Sequence, residues 1–145
     1  SRGLGDVYKR QFIINAMLHQ ADAQRADVRK ADLSRSMMGR ANFSFARFDE
    51  SRLDHADLGE ARLADASLYG ASLISTQFPQ STMWRANLEK VFAVKGNFAE
   101  ARLRGANLGH ADLRSADFSS ADLTHAHIEG ARFIQALMPD NTRNP

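Results

Sequence analysis

The side chains able to do chemistry are few, and their spacing decides what they can do. The imidazoles are His19, His55, His110, His125 and His127, and cysteine is absent. A metal centre needs converging ligands, and the His125 and His127 pair with neighbouring His110 brings no carboxylate or thiolate spacing that completes a tetrahedral set. Asp22, Asp27, Asp32, Asp57, Asp112, Asp117 and Asp122 recur at multiples of five residues. Such spacing distributes carboxylates along the chain, whereas general acid and base roles need an enclosed pair. Without cysteine there is no disulfide, thiolate zinc site or sulfur nucleophile, and the redox compartment stays undetermined. Gly3, Leu4 and Gly5 lack the context of a phosphate loop. We expect no catalytic, cofactor-binding or metal-ligating residue, and a non-enzymatic chain.

What positions these groups is a repeat. From Gln11 to Asp140 the chain reads as 26 pentapeptides without a slip, with ADLSR at 31, ADLGE at 56, ANLGH at 106 and ADLTH at 121 as examples. The third residue of every unit, its centre, is apolar, from Ile13 through Leu53, Phe78 and Leu108 to Met138. Two positions earlier, 19 of the 26 units carry Ala, and most others carry Ser, Thr or Gly. Period five fits neither simple element. On a helix successive centres step around the cylinder, and on an unbroken strand they alternate faces. Both conflicts vanish if the chain turns once per unit, so that the centre and the small residue share the inward side of a short extended segment. The product is a coil whose turns stack by parallel hydrogen bonding.

These A(D/N)LXX units resemble the pentapeptide-repeat family over 130 of the 145 residues. The resemblance implies an all-β fold, a right-handed quadrilateral parallel β-helix with four units to a coil. Period alone leaves four corners and three equally open. Four to a coil makes about 6.5 coils and a rod roughly 30 Å long. Residues 20 apart then stack, which predicts internal ladders of Phe78, Phe98 and Phe118, and of Leu33, Leu53 and Leu73. The Asp positions before the centres face water in the family's fold. Local distortion is expected across 76–98, where Val91 replaces the small residue, its centre is Ala93, and Pro79 and Trp84 interrupt the pattern.

The ends and the surface carry the remaining expectations. Residues 1–10 read as an artefact or a disordered tail, 11–140 as the β-helix and 141–145 as a disordered tail. The stretch SRGLGDVYKRQ resembles translated sequencing-adapter read-through, as on a bacterial metagenomic fragment, and the chain starts without Met, so a missing natural N-terminus is expected. No secretory signal is visible and no run approaches a membrane span, which makes the cytoplasm the expected location. Phe133, Ile134, Leu137 and Met138 close the last coil with no cap after them, an arrangement that invites a homodimer through that end. Family members that act on DNA gyrase pair in this way. Tyr69, Ile74, Phe92 and Val94 form a candidate partner patch, with inward rotation of Phe92 as the rival reading.

Composition narrows the function further. Hydrophobic residues make up 43% of the chain but aromatics only 8%, so the interior must be thin. Of 19 basic and 17 acidic side chains, Arg2, Lys9, Arg10 and Asp6 lie in residues 1–10, which leaves 16 of each sign. A nucleic-acid footprint needs a clustered basic surface, so nucleic acid is not an expected partner. The reading is a rigid protein-interaction scaffold of unknown partner. Its alternatives are protection of DNA gyrase by mimicry of duplex DNA, and a structural or targeting segment of a larger protein.

Overall fold

Each pentapeptide has five backbone N–H groups, and following them in turn accounts for the architecture. The computed structural model describes residues 14–144; the expectations for residues 1–13, which include Gly3 to Gly5 and the centre Ile13, and for Pro145 lie outside the described residues. In the unit that begins at Ala56, the Ala56 N–H donates to Leu53 O at 2.9 Å and closes a turn. The Asp57 N–H donates to Ser36 O in the preceding coil at 2.9 Å. Leu58 and Glu60 donate to Gln77 O and Pro79 O in the following coil, at 2.7 and 2.8 Å. One donor is left, the N–H of Gly59, and the Asp57 carboxylate accepts it at 2.9 Å. The same short-range bond runs from Ser34 to Asp32, from Glu89 to Asn87, from Ala99 to Asn97 and from Ser119 to Asp117, at 2.8 to 3.1 Å. Asp and Asn before the centre therefore have a structural purpose: they satisfy the one corner donor that the ladders cannot reach.

The ladders fix the register. Parallel bridges join residues 20 apart from Met17 and Met37 through to Asp117 and Leu137, so four units make one coil of a β-helix. We call the four sides 1 to 4, by the centres Leu18 to Met138, Ala23 to Leu123, Val28 to Ile128 and Leu33 to Phe133. From Asn15 to Gln135 the last residue of each unit adopts φ between 54° and 69°, and only three of these, Gly70, Gly105 and Gly130, are glycine. A positive φ at the second central residue alone defines a type II turn. Pro79 sits at the first central position, whose N–H the ladders leave unused, and there a proline removes nothing.

The core is the pair of inward positions. Phe78, Phe98 and Phe118 stack with centroids 5.1 and 4.9 Å apart and planes within 8° of parallel, the spacing that the coils impose. Leu33, Leu53 and Leu73 are buried in the expected neighbouring ladder. The expected distortion at 76–98 does not occur. Val91 and Ala93 are both buried, and Phe92 and Ala93 keep their ladder bonds at 3.0 and 2.8 Å, because a large and a small side chain have changed places within one unit. Only the Val91 turn bond is stretched, to 3.3 Å. Gly96 has its own reason: a Cβ there would lie 2.9 Å from the Phe98 ring.

The C-terminal segment corrects a second expectation. Residues 141–144 form no disordered tail. The last corner takes one extra residue, with Asn141 in the left-handed region, and the chain reverses. Arg143 pairs antiparallel with Leu137, while Met138 donates to Thr142 O, Gln135 to Asn144 O and Asn144 to Ala136 O at 2.7 to 2.9 Å. Asp140 accepts from the Thr142 N–H at 3.0 Å and holds the reversal. The edge of side 1 is thus covered. Sides 2 and 3 stay open above Leu123 and Ile128.

Two tests follow from this packing. The hydroxyls of Ser51 and Ser81 occupy alanine positions, are buried and have no hydrogen-bond partner, whereas Thr76 donates to Leu53 O at 2.7 Å. Ser51→Ala and Ser81→Ala should each stabilise the fold by about 1 kcal/mol in denaturant melts, and a loss of stability would contradict this account of the core. The second test is pH. Hydrogen bonds from Arg114 and Arg85 hold Asp112 and Asp65 below the usual carboxylate range. Thr124 and Thr142 do the same for Asp122 and Asp140. A depressed carboxylate contributes stability that is present above its unfolded pKa and lost as pH falls through the folded one. The melting temperature should hold down to about pH 5 and drop below about pH 4, and Asp112→Asn should reduce the drop.

Candidate functional site

Side chains that point outward stand in columns, one residue per coil, so the register determines which of them meet. On side 4, Val94 stands above Ile74 and Phe92 above Ser72. Phe92 is 55% exposed and Ile74 40%, with Val94 half-buried. The rival reading for Phe92 fails, because Val91 and Ala93 already take the two inward positions of that unit. Beneath the trio, the Asp54 carboxylate accepts the Ile74 N–H at 3.0 Å and the Ser72 hydroxyl at 2.6 Å, a tie between coils that fixes the backbone of the patch.

Tyr69 does not join them. Its ring lies in a groove of ≈ 620 Å³ on side 3 with Arg29, Arg47, Asp49, Ser67 and Asn87. The Lys90 ammonium donates to the Tyr69 hydroxyl at 3.0 Å and sits 5.4 Å from the ring centroid; that hydrogen bond raises the lysine pKa. The groove neutralises its own charge. Arg29 is bidentate on Asp27 at 2.8 and 2.6 Å, Arg47 lies 3.8 Å from Asp49, and the Ser67 hydroxyl donates to Asp49.

The four residues expected at the C-terminal end separate into different environments. Phe133 is 8% exposed and packs edge-on against Phe118 at 5.7 Å. Met138 is partly buried against the core, and Leu137 is pinned by its ladder bond to Ala116 O and by the reversed tail. Ile134 is 47% exposed at the corner. The open part of the end is instead Leu123 and Ile128. Ile128 is a centre by sequence, yet it is 50% exposed because no further coil covers it. The N–H groups of Leu123 and Ile128 find no partner among the described residues.

Among the described residues no three His, Asp or Glu side chains come together at metal-ligand distance. No helix among the described residues is long and apolar enough to cross a membrane. The cluster that sequence reasoning missed lies on side 2. Trp84, 41% exposed, lines a hollow of ≈ 390 Å³ with Arg85, Arg104, Gly105 and His125. The 20-residue register could have found it, since it puts Arg104 above Trp84, and Gly105 between Arg85 and His125. The remaining exposed large apolar side chains are Ile14, the bridge partners Met17 and Met37 in one column of side 1, and Phe45 with the Arg25 guanidinium 5.5 Å from its ring centroid.

The match to a family model agrees with this five-residue period. The model for "Pentapeptide repeats" matches in eight copies, covering residues 16–54, 46–85, 85–119 and 97–135. A comparison with curated proteins found no match. Among solved structures, the chain is similar to HetL, a pentapeptide-repeat protein involved in heterocyst differentiation regulation in Nostoc sp. strain PCC 7120. The two are 25% identical over 90% of this chain and 76% of that one, with a TM-score of 0.37. It is similar to alr5209, a pentapeptide-repeat protein of Nostoc PCC 7120, at 30% identity over 64% and 70% of the two chains, with a TM-score of 0.44. It also resembles QnrB1, a plasmid-mediated fluoroquinolone resistance protein, at 17% identity over 84% and 80%, with a TM-score of 0.48. With the family model spanning most of the chain and parallel bridges repeating every 20 residues from Met17 to Leu137, the chain belongs to the pentapeptide-repeat family.

Proposed function

We propose that this protein is a non-enzymatic, rigid scaffold for protein-protein interaction, a right-handed β-helix of about 6.5 coils. The observation that carries the reading is Phe92, outward and 55% exposed beside Ile74 and Val94 on a backbone tied coil to coil. A surface ordered before contact loses little conformational freedom on binding, so a modest apolar patch suffices. The partner is a protein, and the chain itself works in the cytoplasm. A homodimer forms through the C-terminal coil, where Phe133, Ile134, Leu137 and Met138 lie beside the open centres Leu123 and Ile128.

Protection of DNA gyrase by duplex mimicry is the alternative, and the charge pattern weighs against it. A mimic needs continuous negative potential, while the acidic run of side 1 and its corner, Asp57, Glu60, Glu100 and Asp117, is interrupted by Gln77, Asn97 and Arg40, which reaches Glu60 at 3.1 Å. The segment reading, a structural or targeting part of a larger protein, is compatible with the same patch.

Three measurements test these proposals. A photo-crosslinking residue at position 92 should give a discrete protein adduct in cell extract, reduced severalfold by Ile74→Ser; equal labelling from position 77 would remove side 4 as a contact surface. In supercoiling assays the purified protein should leave gyrase unprotected from inhibitor at micromolar concentration, and protection would replace the scaffold reading with mimicry. Light scattering should show a dimer that Ile128→Ser disrupts, and a monomeric parent would remove the paired end.

A further inference from the structure

The hollow on side 2 has a shape that the repeat explains. The last residue of each unit forms a corner ridge, here Asp65, Arg85, Gly105 and His125 in successive coils. Glycine leaves a gap in that ridge. Neighbouring coils are about 4.8 Å apart, so Arg85 and His125 flank an opening roughly 10 Å wide. Trp84 and Arg104 complete the lining, and no acidic side chain contributes to it.

The charges around the gap are unequal in a useful way. Arg85 is held by Asp65 in a bidentate pair at 2.7 and 2.6 Å, so its position is fixed. Among the described residues Arg104 lies within ion-pair distance of no carboxylate, though its charge acts on Asp122 in the following coil, and Arg62 and Arg102 on the same side likewise form no ion pair. Elsewhere among the described residues several arginines are matched, as in Arg29 with Asp27, Arg40 with Glu60, Arg52 with Asp54 and Arg114 with Asp112, while Arg35 is not. A guanidinium outside any ion pair beside an exposed indole is the composition of a binding hot spot, where Trp supplies a flat apolar wall and Arg a fork for a carboxylate.

We propose that the Gly105 hollow receives an acidic peptide segment of a partner protein, with one carboxylate seated against Arg104 and Arg85 and a neighbouring apolar residue lying on the Trp84 ring. A polyanion fits worse. Nucleic acid needs a continuous cationic track, and here Asp65, Glu100 and Asp122 lie within a coil of the hollow and would oppose phosphates on either side of the first. The volume of ≈ 390 Å³ suits one or two side chains. This deepens the scaffold reading and rests on it, while using a different side of the rod from the Phe92 patch.

Trp84 is the chain's single tryptophan, so its emission reports on the hollow alone. The full chain is titrated with the blocked peptide Glu-Phe-Glu-Glu, with its lysine counterpart Lys-Phe-Lys-Lys, with free glutamate and with a short oligothymidylate. The acidic peptide should change the emission saturably. Arg104→Glu and Gly105→Gln should each weaken it by about tenfold or more, and Arg35→Glu, at a distant corner, should not. Gly105→Gln keeps the corner, since Gln20, Gln80 and Gln135 hold the same conformation and a Cβ at 105 meets only Arg85 Cγ at an ordinary 3.5 Å. No change up to about 5 mM peptide, an equal response to the lysine peptide or to free glutamate, a tighter one to the oligonucleotide, or one that survives Gly105→Gln would each overturn the proposal. Crosslinking from position 92 reads side 4 independently, so the hollow can fail while the scaffold stands, and the reverse.

Discussion

A left-handed residue at every fifth position is the constraint on which this molecule depends. For an L-residue other than glycine, asparagine or aspartate that conformation costs about 1 kcal/mol or more, and the chain accepts it at corners held by Arg, Lys, Glu, Gln and even Phe45. It does so because the same residue donates a ladder bond to the next coil, Glu60 to Pro79 O or Arg40 to Gly59 O at 2.8 and 2.9 Å, and because the turn lets two residues of five face inward. Removing the corner would cost the ladder, the turn bond and the core together. Composition at that position is therefore free, and the surface can vary while the fold does not.

That freedom turns the surface into a lattice. Side chains interact with the residue 20 earlier or later as well as with the residue two away in the chain: Arg40 with Glu60, Arg85 with Asp65, Gln80 with Glu100 and Asn97 with Gln77 all span one coil, while Arg29 with Asp27 and Arg114 with Asp112 stay within a unit. Binding chemistry is consequently written at intervals of 20, and a missing side chain in a column, as at Gly105, is as informative as a present one.

How much of this was legible in the sequence follows from the physics of each feature. The inward pair and the turn are consequences of polarity at period five and were readable from it, whereas the stacked phenylalanines also needed four units to a coil, which only the family resemblance implied. The exchange of Val91 and Ala93 was readable as well, but its outcome was misjudged: distortion was expected where conserved total volume left the ladder intact. The reversed tail was missed because its signal is one extra residue before a corner, a backbone event with no hydrophobic signature. Tyr69 was placed with Phe92 by counting, yet Lys90 holds its ring on the neighbouring side. Ion-pair state was not read, although the interval of 20 separates the two cases: Asp65 stands one coil before Arg85, whereas Trp84 and Thr124 flank Arg104.

Overall neutrality also proves a poor guide to a rod. Charge on a prism acts over roughly a Debye length of 8 to 10 Å, about the distance of two coils, so a partner senses one column and its neighbours, never the sum. Side 2 and its corner set Arg25, Arg62, Arg85, Arg102 and Arg104 against Asp22, Asp65 and Asp122, while side 1 and its corner set Asp57, Glu60, Glu100 and Asp117 against Arg40. The same 16 and 16 charges, arranged on a globule without register, would predict indifference to charged partners. Arranged in columns they make adjacent sides of opposite sign, and the search for partners becomes a question about sides rather than about the chain.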